Sequence, residues 1–511
     1  MFKKSTTNSQ IDFFSNFSMN LDEKRAETLS DPKAWHNQFF EHVTNRIDEG
    51  HFDVLYHDHM GRSNAPIRIL LSMMSIKAGF GWSDAQLFEQ AHFNLTVMKA
   101  LGFENLSDKV PAPSTYYLFK QMVYRYNIEH GRDLVYETFK TLTKTQSDIF
   151  DVNGDKVRMD SKLIGSNIIR CSRLQLIISC LQAFWESLPK ESKSKLGDDD
   201  SKLLDELCEK KPNQIVYPMS EDEKSQKLVE LGEQLLHLQQ HYDDSDSEKY
   251  ALLERILSEQ YEIKDNKTEL KPGKEISADS IQSPHDTDAA HRKKSNKVVN
   301  GFSYNATETC NDIGLNLVID IQTEKATHAD NHYVQSALDN AQDVVGPIRD
   351  AHMDGAYQSP ENAKYGDANR INMIFTGIQG TKGNFEFIKT DNGLSVFNRK
   401  TGETDNATQY KANHYKIKLP SGKWRYFKPT EIESYERRKA IENLPVEVKN
   451  RRNNVEATIF QLCFHTRNNK TRYRGQFHNK IWAVSRTMWI NLIRIKNHLS
   501  KPTNQPEMAL R

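Results

Sequence analysis

The run KVRMDSKLI, residues 156–164, alternates between two faces, with Val157, Met159, Ser161 and Leu163 on one and Arg158, Asp160, Lys162 and Ile164 on the other. A period of two marks a half-buried strand, and here it ends a long stretch of helical sequence. Just beyond it, residues 167–188 turn apolar at helical spacing. Residues 224–261 continue that pattern with Leu228, Leu231, Leu235, Leu238, Leu252, Leu253 and Leu257. Strand-type sequence resumes at 298–306, 314–322, 348–354 and 371–376, separated by helical sequence at 331–345 and 359–365. Alternating strands and helices predict an α/β fold with a mixed sheet. Residues 377–428, rich in Gly, Lys, Thr and aromatics, predict β hairpins ahead of the last helices. The expected organisation is an all-α region 1–150, a core from 151–165 and 272–376, a helical insertion 166–271, a β-rich insertion 377–450, C-terminal helices 451–500 that complete the core, and a tail 501–511.

A chain of 511 residues has length for about three domains. Its 69 Lys+Arg balance 69 Asp+Glu, so net charge names no partner. The total conceals a polarity: residues 186–279 carry 24 acidic and 14 basic residues, whereas 451–511 carry 12 basic and 2 acidic. A local basic surface is what phosphates feel within a Debye length of about 10 Å, so the basic C-terminal region keeps a nucleic-acid partner in view. Mean hydropathy is −0.73, and no run approaches the roughly 18 apolar residues of a bilayer span. The start, MFKKSTTNSQ, lacks the apolar core of a secretory signal. Five scattered cysteines suit a reduced, cytoplasmic compartment better than a disulfide framework. His57 and His59 have no further partner at zinc-ligand spacing.

Within the helical region, Pro66 suits the start of a helix through IRILLSMMSIKAGF, and Gly79 and Gly81 are expected to break it. Ser83 and Gln86 form a capping box for the next helix, and Ser114 is placed to cap a third. Three helices with tight turns suggest a helix-turn-helix cluster.

Two acids sit where strand-like runs end or turn: Asp160, and Asp354 in DAHMDGAYQSPEN. Ligands of an open α/β sheet bind beyond the carboxyl ends of its strands, and Gly355 lets the chain turn away there. A third acid, Glu456, lies on a helix whose apolar stripe is Val455, Ile459 and Leu462. Arg452, four residues earlier on the same face, can pair with it or with a phosphate. Arg467, Lys470, Arg472 and Arg474 follow, interleaved with Tyr473 and Phe477. Trp424, in SGKWRYFKP, stands among cations and aromatics, a mixture that suits a nucleic-acid strand. The plainer alternative for Trp424 is packing across a strand pair.

In order, these pieces resemble the bacterial insertion-sequence transposases with an RNase H-like DDE catalytic domain. The resemblance runs over nearly the whole chain. The helical start resembles their short N-terminal domain. Asp160, Ser161, Leu163 or Ile164, and Asn167 match a D-S-x-x-I/L-x-x-N pattern. SPHDTDAAHRKKSNKVVNGFSYN is similar to an S-x-x-D-x-D-A segment leading into a strand, HMDGAYQSPEN to a D-G/A-G/A-Y-x-S-x-E-N block, and Arg452 to Glu456 to R-x-x-x-E. Where relatives place a Tyr three residues before the Arg and a Lys or Arg seven after the Glu, this chain has Lys449 and Cys463.

The resemblance implies an enzyme that cuts element ends and joins them to target DNA. Asp160, Asp354 and Glu456 are then the catalytic residues and the ligands of two Mg²⁺ (or Mn²⁺) ions about 3.5–4 Å apart. It implies double-stranded DNA as partner, touched by Arg452, Arg467, Lys470, Arg472, Arg474 and Trp424. It also implies a homodimer in the synaptic complex and a cytoplasmic, nucleoid-associated location. The alternatives are a catalytically inactive DNA-binding regulator and a metal-free hydrolase using two carboxylates.

Overall fold

The structure is a computed structural model of the chain and describes residues 1–4, 16–57, 63–194, 197–242, 248–294, 296–377, 382–390 and 393–501. His59 and residues 502–511 of the expected tail lie outside the described residues.

Thirteen strands, β1 to β13, appear among the described residues. β1 (Lys156–Gly165) is followed by the hairpin of β2 (Tyr261–Lys264) and β3 (Lys267–Leu270), then by β4 (Ala290–Lys294), β5 (Lys297–Thr309), β6 (Val318–Lys325), β7 (Asp350–Met353) and β8 (Asn372–Phe375). The main sheet runs β6-β5-β1-β7-β8, with β4 paired to the start of β5. β5 is antiparallel to β1 and β6, whereas β7 and β8 are parallel to β1. The mixed sheet predicted from alternation is therefore present. β6 begins four residues later than its sequence pattern suggested, because Gly314 takes a positive φ of 93° and its loop delays the strand.

One face of the sheet packs on helix Val334–Val345, where Val157, Met159, Leu317, Ile319, Ala351 and Met353 meet Val334, Ala337, Leu338 and Ala341. On the other side, Ile164, Phe302, Tyr304, Ala306, Val318 and Ile321 pack with the long C-terminal helix Gln476–Leu499. That helix is buried along both flanks, since the N-terminal helices cover it. Residues 1–150 thus share one continuous core with the C-terminal helices and the sheet, from Phe39, Met73 and Phe119 through Trp489 to Phe302.

The first apolar helix is Ile67–Phe80, and its C-cap is Gly81 at φ 69°. Gly79 does not break it. A Cβ there would lie 2.2 Å from the Trp489 ring, so this glycine allows close approach to the C-terminal helix. Arg486 locks the same junction, its Nη1 donating to the Ala78 and Gly79 carbonyls and its Nη2 to Gln461 O. The Ser83–Gln86 capping box is formed. Ser114 is not a cap: that helix starts at Pro113, whose missing N–H costs nothing in the first turn, with Ala112 at the N-cap.

The described helices between Arg173 and Gln260 share their own core, including Ile177, Leu181, Phe184, Leu235 and Ile256, and the insertion expected to be helical to 271 instead ends in the β2–β3 hairpin. Past β8, a five-stranded antiparallel meander is formed by β9 (Phe385–Thr390), β10 (Gly393–Asn398), β11 (Glu403–Lys411), β12 (His414–Lys418) and β13 (Trp424–Phe427). The β-rich stretch ends there, and Pro429–Asn443 and Val446–Asn453 are helices. Pro429 suits a first helical turn. Among the described residues, no helix is long and apolar enough to cross a membrane.

A single buried carboxylate joins sheet and helices. Glu308 on β5 is wholly buried and accepts from Arg158 Nε of β1 at 2.6 Å, Arg494 Nη2 of the C-terminal helix at 2.6 Å and Thr458 Oγ1 at 2.5 Å. Burial raises its pKa, but Arg494 and Arg158 outweigh that and leave it below its ordinary value of 4.5. Its contribution to stability is therefore full above pH 4.5 and is lost as pH falls through the depressed folded value. Glu308→Gln leaves two buried guanidinium groups short of a counter-charge and is expected to cost about 3–5 kcal/mol. Urea unfolding of both proteins across the acid range checks this, and the variant should show the shallower loss of stability on acidification.

Candidate active site

β1 and β7 run side by side in parallel, with Arg158 opposite His352. Two residues further on, the same register sets Asp160 beside Asp354. Asp160 lies within β1 with its side chain 14% exposed. Asp354 follows β7, 37% exposed, and is held by a turn in which its Oδ1 accepts from Ala356 N at 2.7 Å. Glu456 is contributed by helix Val455–Cys463, whose Val455, Thr458, Ile459 and Leu462 face the core. Glu456 itself is 66% exposed.

Arg452 stands among the three acids. Its Nη2 lies 3.2 Å from Asp160 Oδ2 and 3.7 Å from Asp354 Oδ2, and its Nη1 lies 3.4 Å from Glu456 Oε1. Carboxylates from three distant parts of the chain thus meet at one guanidinium. Burial raises the Asp160 pKa and the Asp354 charge adds to the rise, while Arg452 and the Ser161 N–H oppose it. His352, two residues before Asp354, is pushed down to about 4 by burial and by Arg451, so it is neutral at pH 7.

Three carboxylates are hard oxygen donors and suit Mg²⁺ or Mn²⁺. Among the described residues, however, no group of three or more His, Cys, Asp or Glu is arranged to hold a metal ion as it stands. Arg452 supplies the positive charge between them, and its buried Nε has no hydrogen-bond partner. The donor chemistry therefore fits a divalent ion, whose binding requires this guanidinium to move aside.

Several motif residues serve the framework. Ser161 Oγ donates to Asp330 Oδ1 at 2.6 Å, and Tyr357 Oη to Asn305 Oδ1 at 2.7 Å. Asn362 Nδ2 donates to the carbonyls of Asn331 and Tyr357. Asp286 accepts from Ser166 Oγ and Ala289 N, and Asp288 accepts from Gln476 N in the first turn of the C-terminal helix. Asp330 and Glu308, which brace the site from behind, went unread in the sequence, since neither sits in a local pattern that marks it. Lys449 Nζ donates to Glu442 O, and among the described residues no ion pair links it to the three acids, while Cys463 is pushed up to about 11 by burial and stays an uncharged thiol at pH 7.

The basic run docks on the end of β1. Gly165 N donates to Asn469 O at 2.8 Å and Thr471 N to Gly165 O at 2.9 Å. Arg467, Lys470, Arg472 and Arg474 are exposed, with Lys470 Nζ anchored on Ile168 O and Arg474 Nε on Asn167 O. Trp424 occupies the edge strand β13 of the meander, 46% exposed, with Lys416 Nζ 4.5 Å over its ring.

Residues 27–122 match the family model described as a transposase domain (DUF772). The match spans the N-terminal helices around Ile67–Phe80 and supports reading the chain as a transposase. No curated protein and no solved structure matches the chain.

Replacing Arg467 and Arg472 with Ala is expected to weaken DNA binding regardless of sequence. The log–log salt slope should flatten by roughly 0.9 per lost phosphate contact. Titrations at several salt concentrations check this, and an unchanged slope would assign the run to packing alone.

Proposed function

We propose that the chain is a DNA transposase of the RNase H-like DDE type, cutting insertion-element ends and joining them to target DNA. The observation that carries this reading is the convergence of Asp160, Asp354 and Glu456 on Arg452, in a chain whose residues 27–122 match a transposase domain. The mixed sheet, with Asp160 on its central strand and Asp354 at the end of the neighbouring parallel strand, supports it further.

Asp160, Asp354 and Glu456 would hold divalent ions, which would supply Lewis-acid activation and charge neutralisation at the reacting phosphate. Asp160 and Asp354, fixed by strand and turn, present their carboxylates from the sheet, and Glu456 presents a third from the solvent side. Arg452 pairs with all three in the DNA-free protein, and its single positive charge offsets only part of theirs. Its planar fork of donors matches phosphate as well as carboxylate, and a DNA strand brings the phosphate to which it turns. The exposed cations of residues 467–474 lie on the backbone of the same duplex. The partners are double-stranded DNA, at element ends and target, and a second copy of the chain in the synaptic complex.

Asp160→Asn, Asp354→Asn and Glu456→Gln are each expected to lower end cleavage by about a thousandfold or more, a loss of several kcal/mol of transition-state stabilisation. DNA binding should be largely retained. Gel assays with Mg²⁺ and with excess chelator test this: near-normal cleavage by any one variant removes that residue from the site, and full activity in chelator overturns the mechanism.

Trp424 is exposed enough to stack on a base turned out of the duplex. Trp424→Ala is expected to lower second-strand cleavage while melting temperature holds. A fall in melting temperature alone would return this ring to a packing role.

A further inference from the structure

Glu456, Phe460 and Phe464 follow one another at intervals of four along a single helical face. The opposite face, with Ile459 and Leu462, is committed to the core. Phe460 is 65% exposed and Phe464 61%, with ring centroids 5.8 Å apart in an edge-to-face pair. Two phenyl rings in water beside a charged site are costly neighbours for most substrates. Whatever reaches Glu456 along this helix lies over them.

The surroundings are cationic. Lys162, exposed on β1, is near enough to Cys463 to act on its thiol electrostatically, and Arg472 acts in the same way on His465. Arg467 is exposed three residues past Phe464. Glu456 is the one acid of helix Val455–Cys463. An occupant with flat apolar faces and negative charges at its margin fits, which is the description of a nucleic-acid strand. A stacked duplex does not present such faces, because its base faces are hidden between neighbouring pairs.

We propose that Phe460 and Phe464 form an aromatic ledge that receives unstacked bases of the DNA strand entering the acidic site. The strand at Glu456 is therefore unpaired over about two nucleotides, one per ring. This inference rests on the reading of the chain as a DNA-cutting enzyme. Stacking on aromatic rings tolerates any sequence, so the ledge recognises the opened state of an end and leaves its sequence to other contacts.

The test compares binding of the full chain to a blunt duplex and to the same duplex with its last few pairs mismatched, in chelator so that no cleavage intervenes. Wild type should prefer the mismatched end by about tenfold or more, equivalent to about 1.4 kcal/mol. The double variant F460A/F464A should lose that preference while keeping its blunt-duplex affinity and its melting temperature. A 2-aminopurine in the mismatched end should be quenched by wild type and by F460Y/F464Y, but not by the alanine variant. Equal affinities of wild type and the alanine variant for both ends, or parallel loss on both, overturn the ledge. So does light scattering that shows the alanine variant passing from dimer to monomer, which would assign the face to a second copy. Wild-type cleavage of element ends in Mg²⁺ is scored separately. Its absence beside an intact preference defeats the transposase reading, whereas cleavage without the preference defeats only the ledge.

Discussion

Glu308 is the charge around which the half of the molecule holding Asp160, Asp354 and Glu456 is assembled. It lies directly across from Arg158 in the β1–β5 pairing, and its other oxygen takes Arg494 and Thr458. Arg158 also donates to the carbonyl of Arg451. One buried carboxylate therefore sets the positions of Arg158, two residues before Asp160, of Arg451, next to Arg452, and of Thr458, two residues after Glu456. Taking these charges out of water is expensive unless every one is paired. The same stringency fixes the helix of the third acid over the sheet that carries the first two.

The C-terminal helix is the second organiser. It is polar at its ends, yet its middle is buried on both flanks, from Trp482 to Leu492. Gly79 brings the N-terminal helix against Trp489, and Arg486 ties the carbonyls of that helix to Gln461. A second tie runs from Tyr136 to the buried Asp320 of β6. The region that matches a transposase domain is thus joined, through Gly79 and Arg486, to the helix that bears Glu456.

Charge is distributed with the same economy. The acidic helical unit keeps its own apolar core, and Glu186 of that unit shares a cleft with Arg474 of the basic run. At the site, the nearest positive charges are those that hold the backbone, Arg158 and Arg451, and the one that faces the acids, Arg452. Arg452 differs from the other two in having an unpartnered buried Nε, so its fork is the least firmly committed of the three.

Local pattern was enough for most strands and helices of the core, since a period of two or of 3.6 is written in neighbouring residues, but it missed the short strands β2, β3 and β4 and the helices at Pro429–Asn443 and Val446–Asn453. It was also enough for the capping box at Ser83, and it marked Asp160, Asp354 and Glu456 for notice, although Asp160 lies in the middle of β1 and not at a strand end. It misjudged Gly79, because a glycine that admits a distant tryptophan has the same local appearance as one that ends a helix. It offered no sign of Glu308 or Asp330, whose partners are far away in the chain. Ser161, Asp286 and Tyr357 were legible as motif residues, but their bracing role depends on what lies opposite them. The sequence by itself determined most of the core strands and helices and which acidic and basic residues were candidates for a site. Only the tertiary structure decided that Asp160, Asp354 and Glu456 meet at one guanidinium, because that meeting depends on sheet register, on a buried ion pair and on helix packing between residues hundreds of positions apart.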